Sequence, residues 1–267
     1  MEKDPVFPLQ DLSWEGRTAA HEASSWGCVR SLAWCCHADA AALLRGMWRT
    51  LRLNRWKVLC LLLGGAGLIL HMFPHDLEWL AFIRQDDPTA ECAHLRAAAR
   101  ALSYWGDFAG FNTIIFVTLG FFAFIRRSPF FRRMTIAAVL GTLLTGSLAN
   151  VLRVSTGRAR PASHLNPGFH GPSLSAKKHS FPSAHTATAF GASVPVAVAF
   201  PPAGMPMLLV SSGVAWSRMQ NNCHHPSDVV TSILLSTLFG VPLGLMVRRS
   251  RSGSRRSALR SATPPPN

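Results

Sequence analysis

The stretch Met134–Leu152 reads MTIAAVLGTLLTGSLANVL and carries no charge. Arg132 and Arg133 stand immediately before it and Arg153 immediately after. A helix needs about 20 mostly apolar residues to cross the hydrocarbon core of a bilayer, so this stretch is predicted to be a membrane span. Five further runs repeat the pattern, interrupted by one carboxylate, Asp228. They are Val58–Phe73 (VLCLLLGGAGLILHMF), Ala109–Ile125 (AGFNTIIFVTLGFFAFI), His185–Phe200, Ala203–Ser217 and Pro226–Val247, with Pro201-Pro202 separating the fourth run from the fifth. Runs 109–125, 134–152 and 226–247 reach spanning length. Runs 58–73, 185–200 and 203–217 are shorter and need their flanking residues.

The composition agrees. Lys and Arg number 27 against 13 Asp and Glu, a net charge of +14 in 267 residues, yet charged residues make up 15% of the chain and apolar ones 48%. That apolar content excludes a chain disordered throughout, and glycine without a triplet period excludes a collagen-like one. A mean hydropathy of +0.19 would be unusual for a soluble domain, because six apolar runs leave too little polar surface to coat one. Six cysteines without CxxC spacing indicate neither a disulfide scaffold nor a zinc ribbon. The expected fold class is therefore all-α, a polytopic membrane protein of six helices. Its expected parts are a leader over 1–44, a six-helix domain over 45–247 and a Ser/Arg-rich disordered tail over 248–267.

Basic residues give the expected orientation. Arg45, Arg49, Arg52, Arg55 and Lys57 precede the first run. Arg126, Arg127, Arg132 and Arg133 fill the turn between the second and third, and Arg248, Arg249 and Arg251 follow the sixth. With six spans these clusters share one side, which the positive-inside rule makes the cytoplasm, with both termini there. Much of the net charge is then a topology signal. No nucleic-acid partner is expected, since the basic tail lacks interleaved aromatic residues. The segments 74–106, 153–181 and 218–225 fall on the outer side. The first holds two weakly amphipathic stretches, around 77–84 and 91–102. Cys92 and Cys223 both lie on that side, where a disulfide can form. Trp26, Trp34 and Trp48 read as interfacial anchors.

Charged and polar side chains at span ends are costly unless they pair or work, and here they gather at the outer ends of four helices. Arg153 ends the third run, with Arg158 and Arg160 following. Ser183, Ala184 and His185 open the fourth. Arg218 closes the fifth, and His224, His225 and Asp228 open the sixth. Arginine forks match phosphate oxygens, and a helix N-terminus offers backbone N–H groups to an anion. His224 and Asp228, four residues apart, share a helix face, so the carboxylate can orient one ring nitrogen and leave the other as nucleophile or base. His185 is a second imidazole, suited to protonating a leaving oxygen. No metal and no cofactor is required, because the arginines supply the positive charge.

This constellation resembles the three-part signature of the type 2 phosphatidic acid phosphatases. Arg153 to Arg160-Pro161 has the spacing of its Lys, six residues, Arg-Pro element. Pro182-Ser183-Ala184-His185 follows its Pro-Ser-Gly-His element. Ser217-Arg218, His224 and Asp228 follow its Ser-Arg, five residues, His, three residues, Asp element. The resemblance implies that His224 attacks phosphorus and forms a phosphohistidine, that Asp228 orients it, and that His185 protonates the departing oxygen and then activates water. It implies that Arg153, Arg160, Ser183, Ala184 and Arg218 bind the phosphate. Register alone separates His224 from His225. Two positions depart from the signature: Arg153 replaces Lys, and Ala184 replaces Gly, where a methyl group would crowd the pocket and disfavour a positive φ.

The expected function is metal-independent hydrolysis of a lipid phosphate or pyrophosphate, its substrate arriving from the membrane lipids. The expected setting is a bacterial plasma membrane with the site facing outward. The alternatives are a lipid phosphotransferase on the same phosphohistidine, or a non-catalytic lipid-phosphate binder. The histidines and loop lysines before Pro182 (His164, His170, His179, Lys177 and Lys178) read more simply as a solvated loop.

Overall fold

The structure is a computed structural model and describes residues 25–84, 90–105, 108–166 and 168–262, without the side chains of 25–31, 90–92, 104–109 and 252–262. Most of the leader, the Trp26 side chain and the Cys92–Cys223 pairing therefore lie outside the described residues. The elements in chain order are α1 (Ser25–Leu53), α2 (Arg55–Met72), α3 (Asp76–Arg84), α4 (Ala90–Trp105), α5 (Thr113–Ile125), α6 (Pro129–Thr156), α7 (Ala184–Ala199), α8 (Pro201–Gln220) and α9 (Pro226–Ala262). No strand occurs among the described residues; a single bridge pairs Arg158 with Phe169.

All six apolar runs are helical, and the two amphipathic stretches form α3 and α4. Among the described residues, three stretches are long and apolar enough to cross a membrane: Arg55–Arg84, Pro129–Thr156 and Pro226–Arg251. The run at 109–125 yields a shorter apolar helix, Gly110–Ile125. The run at 58–73 gains length because α2 continues through a 3₁₀ turn at Phe73–His75 into α3. Proline at the first position fits helix entry, where its missing N–H has no partner to lose. It opens α6, α8 and α9.

α7 is the central helix, packed against α6, α8 and α9. It is buried on nearly every side from Thr186 to Val196, as expected for a helix that is apolar all round. Its small residues let the backbones approach closely, and buried hydroxyls bond across the seams. Thr145 Oγ1 donates to Ala187 O at 2.9 Å, Ser236 Oγ to Ala187 O at 3.1 Å, and Ser211 Oγ to Ala189 O at 3.1 Å. A methyl group at Gly141 would run into the carbonyl oxygen of Gly191.

The bundle has two unlike ends. At one, the Asp39 carboxylate of α1 accepts from Arg132 Nε and Arg133 Nε, each at 2.8 Å. There the guanidinium of Arg251 also lies over Phe130 and Phe200. At the other end sit the end of α6, the starts of α7 and α9 and the end of α8. The boundary expected at residue 44 falls inside α1, whose Leu43 and Met47 are buried in the core shared with α6 and α9. The segment after residue 248, expected to be disordered, is helical to Ala262. Arg, Ala and Ser tolerate a helix, and no proline interrupts before Pro264.

Candidate active site

Arg153 lies in the last turn of α6. Gly157 then ends the helix in the left-handed region at φ 57°, where a Cβ would also strike the Gly171 carbonyl. From there the chain folds back on itself. Ala159 N–H donates to Gly168 O at 3.0 Å, Arg160 N–H to Lys177 O at 2.9 Å, Ser180 N–H to Arg158 O at 3.0 Å and Ser173 N–H to Val154 O at 2.9 Å. His170 and His179 donate ring N–H groups to Asn166 O and Ser173 O, at 3.0 and 2.7 Å. These two histidines thus serve the loop's own structure. Ala184 is the first residue of α7 and is not among the positive-φ positions. The predicted conflict of its methyl group with a left-handed backbone therefore does not arise.

The first turns of α7 and α9 are tied together. Ser183 N–H donates to Asp228 O at 3.3 Å, and Ser232 Oγ donates to Ser183 O at 2.8 Å. This places Ser183, Ala184 and the half-buried His185 at the level of Asp228. Arg218, in the last turn of α8, donates to the hydroxyl of Ser103 in α4. Arg160 lies within electrostatic range of both Arg153 and His224, and Arg218 within range of His224. Two arginines from separate parts of the chain thus face one imidazole, and Arg153 lies within range of one of them.

His224 is 2% exposed. Its Nδ1 is 2.7 Å from the backbone oxygen of Ser180. A carbonyl oxygen only accepts, so Nδ1 carries the proton and Nε2 keeps its lone pair. Asp228 Oδ2 is 3.8 Å from the same Nδ1, too long for a hydrogen bond but close enough to act as a charge. Burial is the largest influence on the ring and lowers its pKa from 6.5; Asp228 opposes this, and Arg218 and Arg160 add to it. The neutral, nucleophilic form is therefore held below the ordinary titration range of histidine. The acid limb of kcat/KM is expected to lie below pH 6.5. Asp228→Asn should carry that limb lower still in whatever activity remains, because removing the carboxylate removes what favours the imidazolium. A pH–rate profile measures both.

Several residues that sequence reasoning left outside the site sit directly behind it. Asp228 Oδ1 accepts from Arg158 at 2.6 Å, and its Oδ2 accepts from Ser180 Oγ at 2.6 Å and from His225 N–H at 2.8 Å. The other guanidinium nitrogen of Arg158 reaches Asp76 Oδ2 at 2.6 Å. Asp76 in turn accepts from Ser227 N–H at 2.9 Å, capping α9 from outside its own sequence. Arg158 also lies over the rings of Phe73 and Phe169, 4.8 and 5.5 Å from their centroids. Asp76 is one of two acids just past an apolar run, Glu78 being the other, and no local signal singles it out. No group of three or more His, Cys, Asp or Glu residues is placed to hold a metal among the described residues.

A family model described as the PAP2 superfamily matches residues 134–252, the stretch that contains all three motifs. No curated protein matches the chain. Among solved structures, the crystal structure of Aquifex aeolicus LpxE matches at 21% identity with a TM-score of 0.43, covering 65% of this chain and 94% of that one. The matched stretch runs from the start of the apolar part of α6 into the basic part of α9 and is where this chain is similar to that superfamily.

Proposed function

We propose that the protein is an integral membrane phosphatase that hydrolyses a lipid phosphate or pyrophosphate through a phosphohistidine on His224. The observation that carries this reading is the His224 ring, protonated at Nδ1 by its bond to Ser180 O and lying within the field of Arg160 and Arg218. In the first step Nε2 attacks phosphorus, the bond from phosphorus to the leaving oxygen breaks (the lipid's own oxygen in a monophosphate, the bridging oxygen in a pyrophosphate), and His185 gives that oxygen a proton. In the second, His185 takes a proton from water, the water oxygen attacks phosphorus, and the N–P bond breaks to release inorganic phosphate. Arg153, Arg160 and Arg218, with Ser183 and the backbone N–H groups at the start of α7, hold the phosphoryl oxygens and the charge that develops on them.

All six apolar helices cross the membrane in this reading, α7 and α8 being made long enough by their polar ends. The basic residues cluster at the end of the bundle opposite the site, so the positive-inside rule puts both termini in the cytoplasm and the site on the outer face. A bacterial plasma membrane fits that arrangement. A lipid acceptor replacing water would make the same site a phosphotransferase.

The test is phosphate release from a panel of lipid phosphates and pyrophosphates in detergent micelles with EDTA present, with and without a lipid alcohol as acceptor. Release that persists in EDTA and ignores the acceptor supports hydrolysis. Release that requires the acceptor moves the reading to transfer. Binding of every lipid without turnover sinks both.

A further inference from the structure

We propose that Asp76, Arg158 and Ser180 are positioning residues for phosphoryl transfer, forming a buried relay that runs from α3 to the nucleophile. The proposal rests on the phosphohistidine reading of His224 and extends it to residues outside the three motifs. The links are continuous. His224 Nδ1–H meets the carbonyl of Ser180 at 2.7 Å, and the hydroxyl of the same serine meets Asp228 Oδ2 at 2.6 Å. Asp228 Oδ1 meets Arg158 at 2.6 Å, and Arg158 meets Asp76 at 2.6 Å. Ser227 closes a ring within this chain: its hydroxyl donates to Asp76 Oδ2 at 2.5 Å and lies 2.7 Å from the Arg158 nitrogen that also holds Asp228. Ser180, Ser227 and Asp228 are fully buried, Asp76 is 1% exposed and Arg158 6%.

The arrangement does more than satisfy buried groups. Ser180 acts on the nucleophile twice, once through its carbonyl on the ring and once through its hydroxyl on the carboxylate beside the ring. The carboxylate of Asp228 is held by Arg158, Ser180 and the His225 backbone, with the His225 ring nitrogen 3.3 Å away, and the His224 imidazole is not among its hydrogen-bond donors. Its distance from His224 is thus set by the relay. The cluster also holds two carboxylates against one guanidinium, an excess of negative charge. That excess suits the step in which Nε2 bonds to phosphorus while Nδ1 keeps its proton, because the ring then becomes a cation. The charged groups facing the ring are Asp228 from the first turn of α9, Arg218 from α8 and Arg160 from the loop, and the titratable ring of His225 lies against Asp228. Of these, the relay fixes the carboxylate alone. A guanidinium wedged between two buried carboxylates and over two aromatic rings has little freedom, so Asp76 at the far end locates Asp228 at the near one.

The experiment uses the full chain in micelles with the most rapidly hydrolysed lipid phosphate, in four variants. Ser180→Ala keeps the carbonyl and removes the hydroxyl; Ser180→Thr keeps both. Asp76→Asn keeps shape and removes a charge, and His224→Gln assigns the ring resonance in histidine-labelled protein. Hydrogen bonds to charged groups carry about 1.5–3 kcal/mol, so kcat is expected to fall about 10- to 100-fold in Ser180→Ala and Asp76→Asn. KM should stay within about twofold in both, since neither residue touches phosphate. Ser180→Thr should recover most of the Ser180→Ala loss. The NMR titration of His224 should move to lower pH in Asp76→Asn, an effect that a merely loosened fold would not produce. Wild-type kcat in both variants with an unmoved titration overturns the relay. So does a loss of kcat with no shift in titration and no rescue by threonine. A wild type that releases no phosphate while the titration still shifts in Asp76→Asn overturns the phosphatase reading and leaves the electrostatic link standing.

Discussion

His224→Ala is expected to bring phosphate release to background, a loss of at least about 10³-fold in kcat, because without a nucleophile the two-step route disappears and only binding and charge stabilisation remain. The informative comparison is His225→Ala. His225 is as buried as its neighbour, and its Nδ1 points at Asp228 Oδ2 across 3.3 Å. Its firmest grip on that carboxylate, however, is the backbone N–H at 2.8 Å, which alanine retains. His225→Ala is therefore expected to keep activity within about tenfold of wild type, because the contact it loses is the long one and a weak hydrogen bond is worth about 1 kcal/mol. Phosphate-release kinetics of the two variants measure the difference. A dead His225→Ala beside an active His224→Ala would transfer the nucleophile to the neighbouring residue and displace the register on which the motif reading rests.

The second large effect is on stability. Gly191→Ala is expected to cost at least about 2–3 kcal/mol, and in practice to remove most folded protein from a detergent extract. The added methyl would meet Thr145 Oγ1 and would stand 2.8 Å from the Gly141 carbonyl oxygen. The oxygen belongs to a helix backbone that cannot swing aside, and the hydroxyl is already bonded to Ala187 O and Gly141 O. Gly64→Ala and Gly67→Ala are the controls, because a Cβ at either position meets nothing within 4 Å. In them alanine's higher helix propensity should leave thermal stability unchanged or slightly raised. A thermal melt of the three variants in one detergent reads the contrast. Equal melting of all three would mean that α6 and α7 do not pack through this seam.

These two predictions mark how far the sequence could be read. Run length and absence of charge located every apolar helix, since both are local properties. The motif residues were legible because their spacing within each helix end is local too: His224 and Asp228 share a face whatever the rest of the chain does. Asp76 was not legible. Its importance comes from contact with Arg158 and Ser227, 82 and 151 residues away, and nothing in its own neighbourhood announces that. α1 was misjudged for the same reason. It looked like a separate leader because it carries no long apolar run, yet Leu43, Met47 and Asp39 commit it to the bundle. The concern over Ala184 came from supposing a left-handed backbone at the glycine of the motif, whereas the helix begins at that residue.

The clamp of α1 on the start of α6 bears on the order in which the protein is made. Asp39 leaves the ribosome 93 and 94 residues ahead of the two arginines that bury it. Asp76 waits still longer, first for Arg158 and then for Ser227 in the last helix. Until then each carboxylate must stay in water or bind a proton, since neither can enter the bundle as an unpaired charge. His224 comes just before that last helix, and the carboxylate facing it lies within its first turn. A nascent chain therefore carries an open polar seam until α9 arrives, and α9 closes it with Ser227 and sets Asp228 beside Arg158 and His224 in one event.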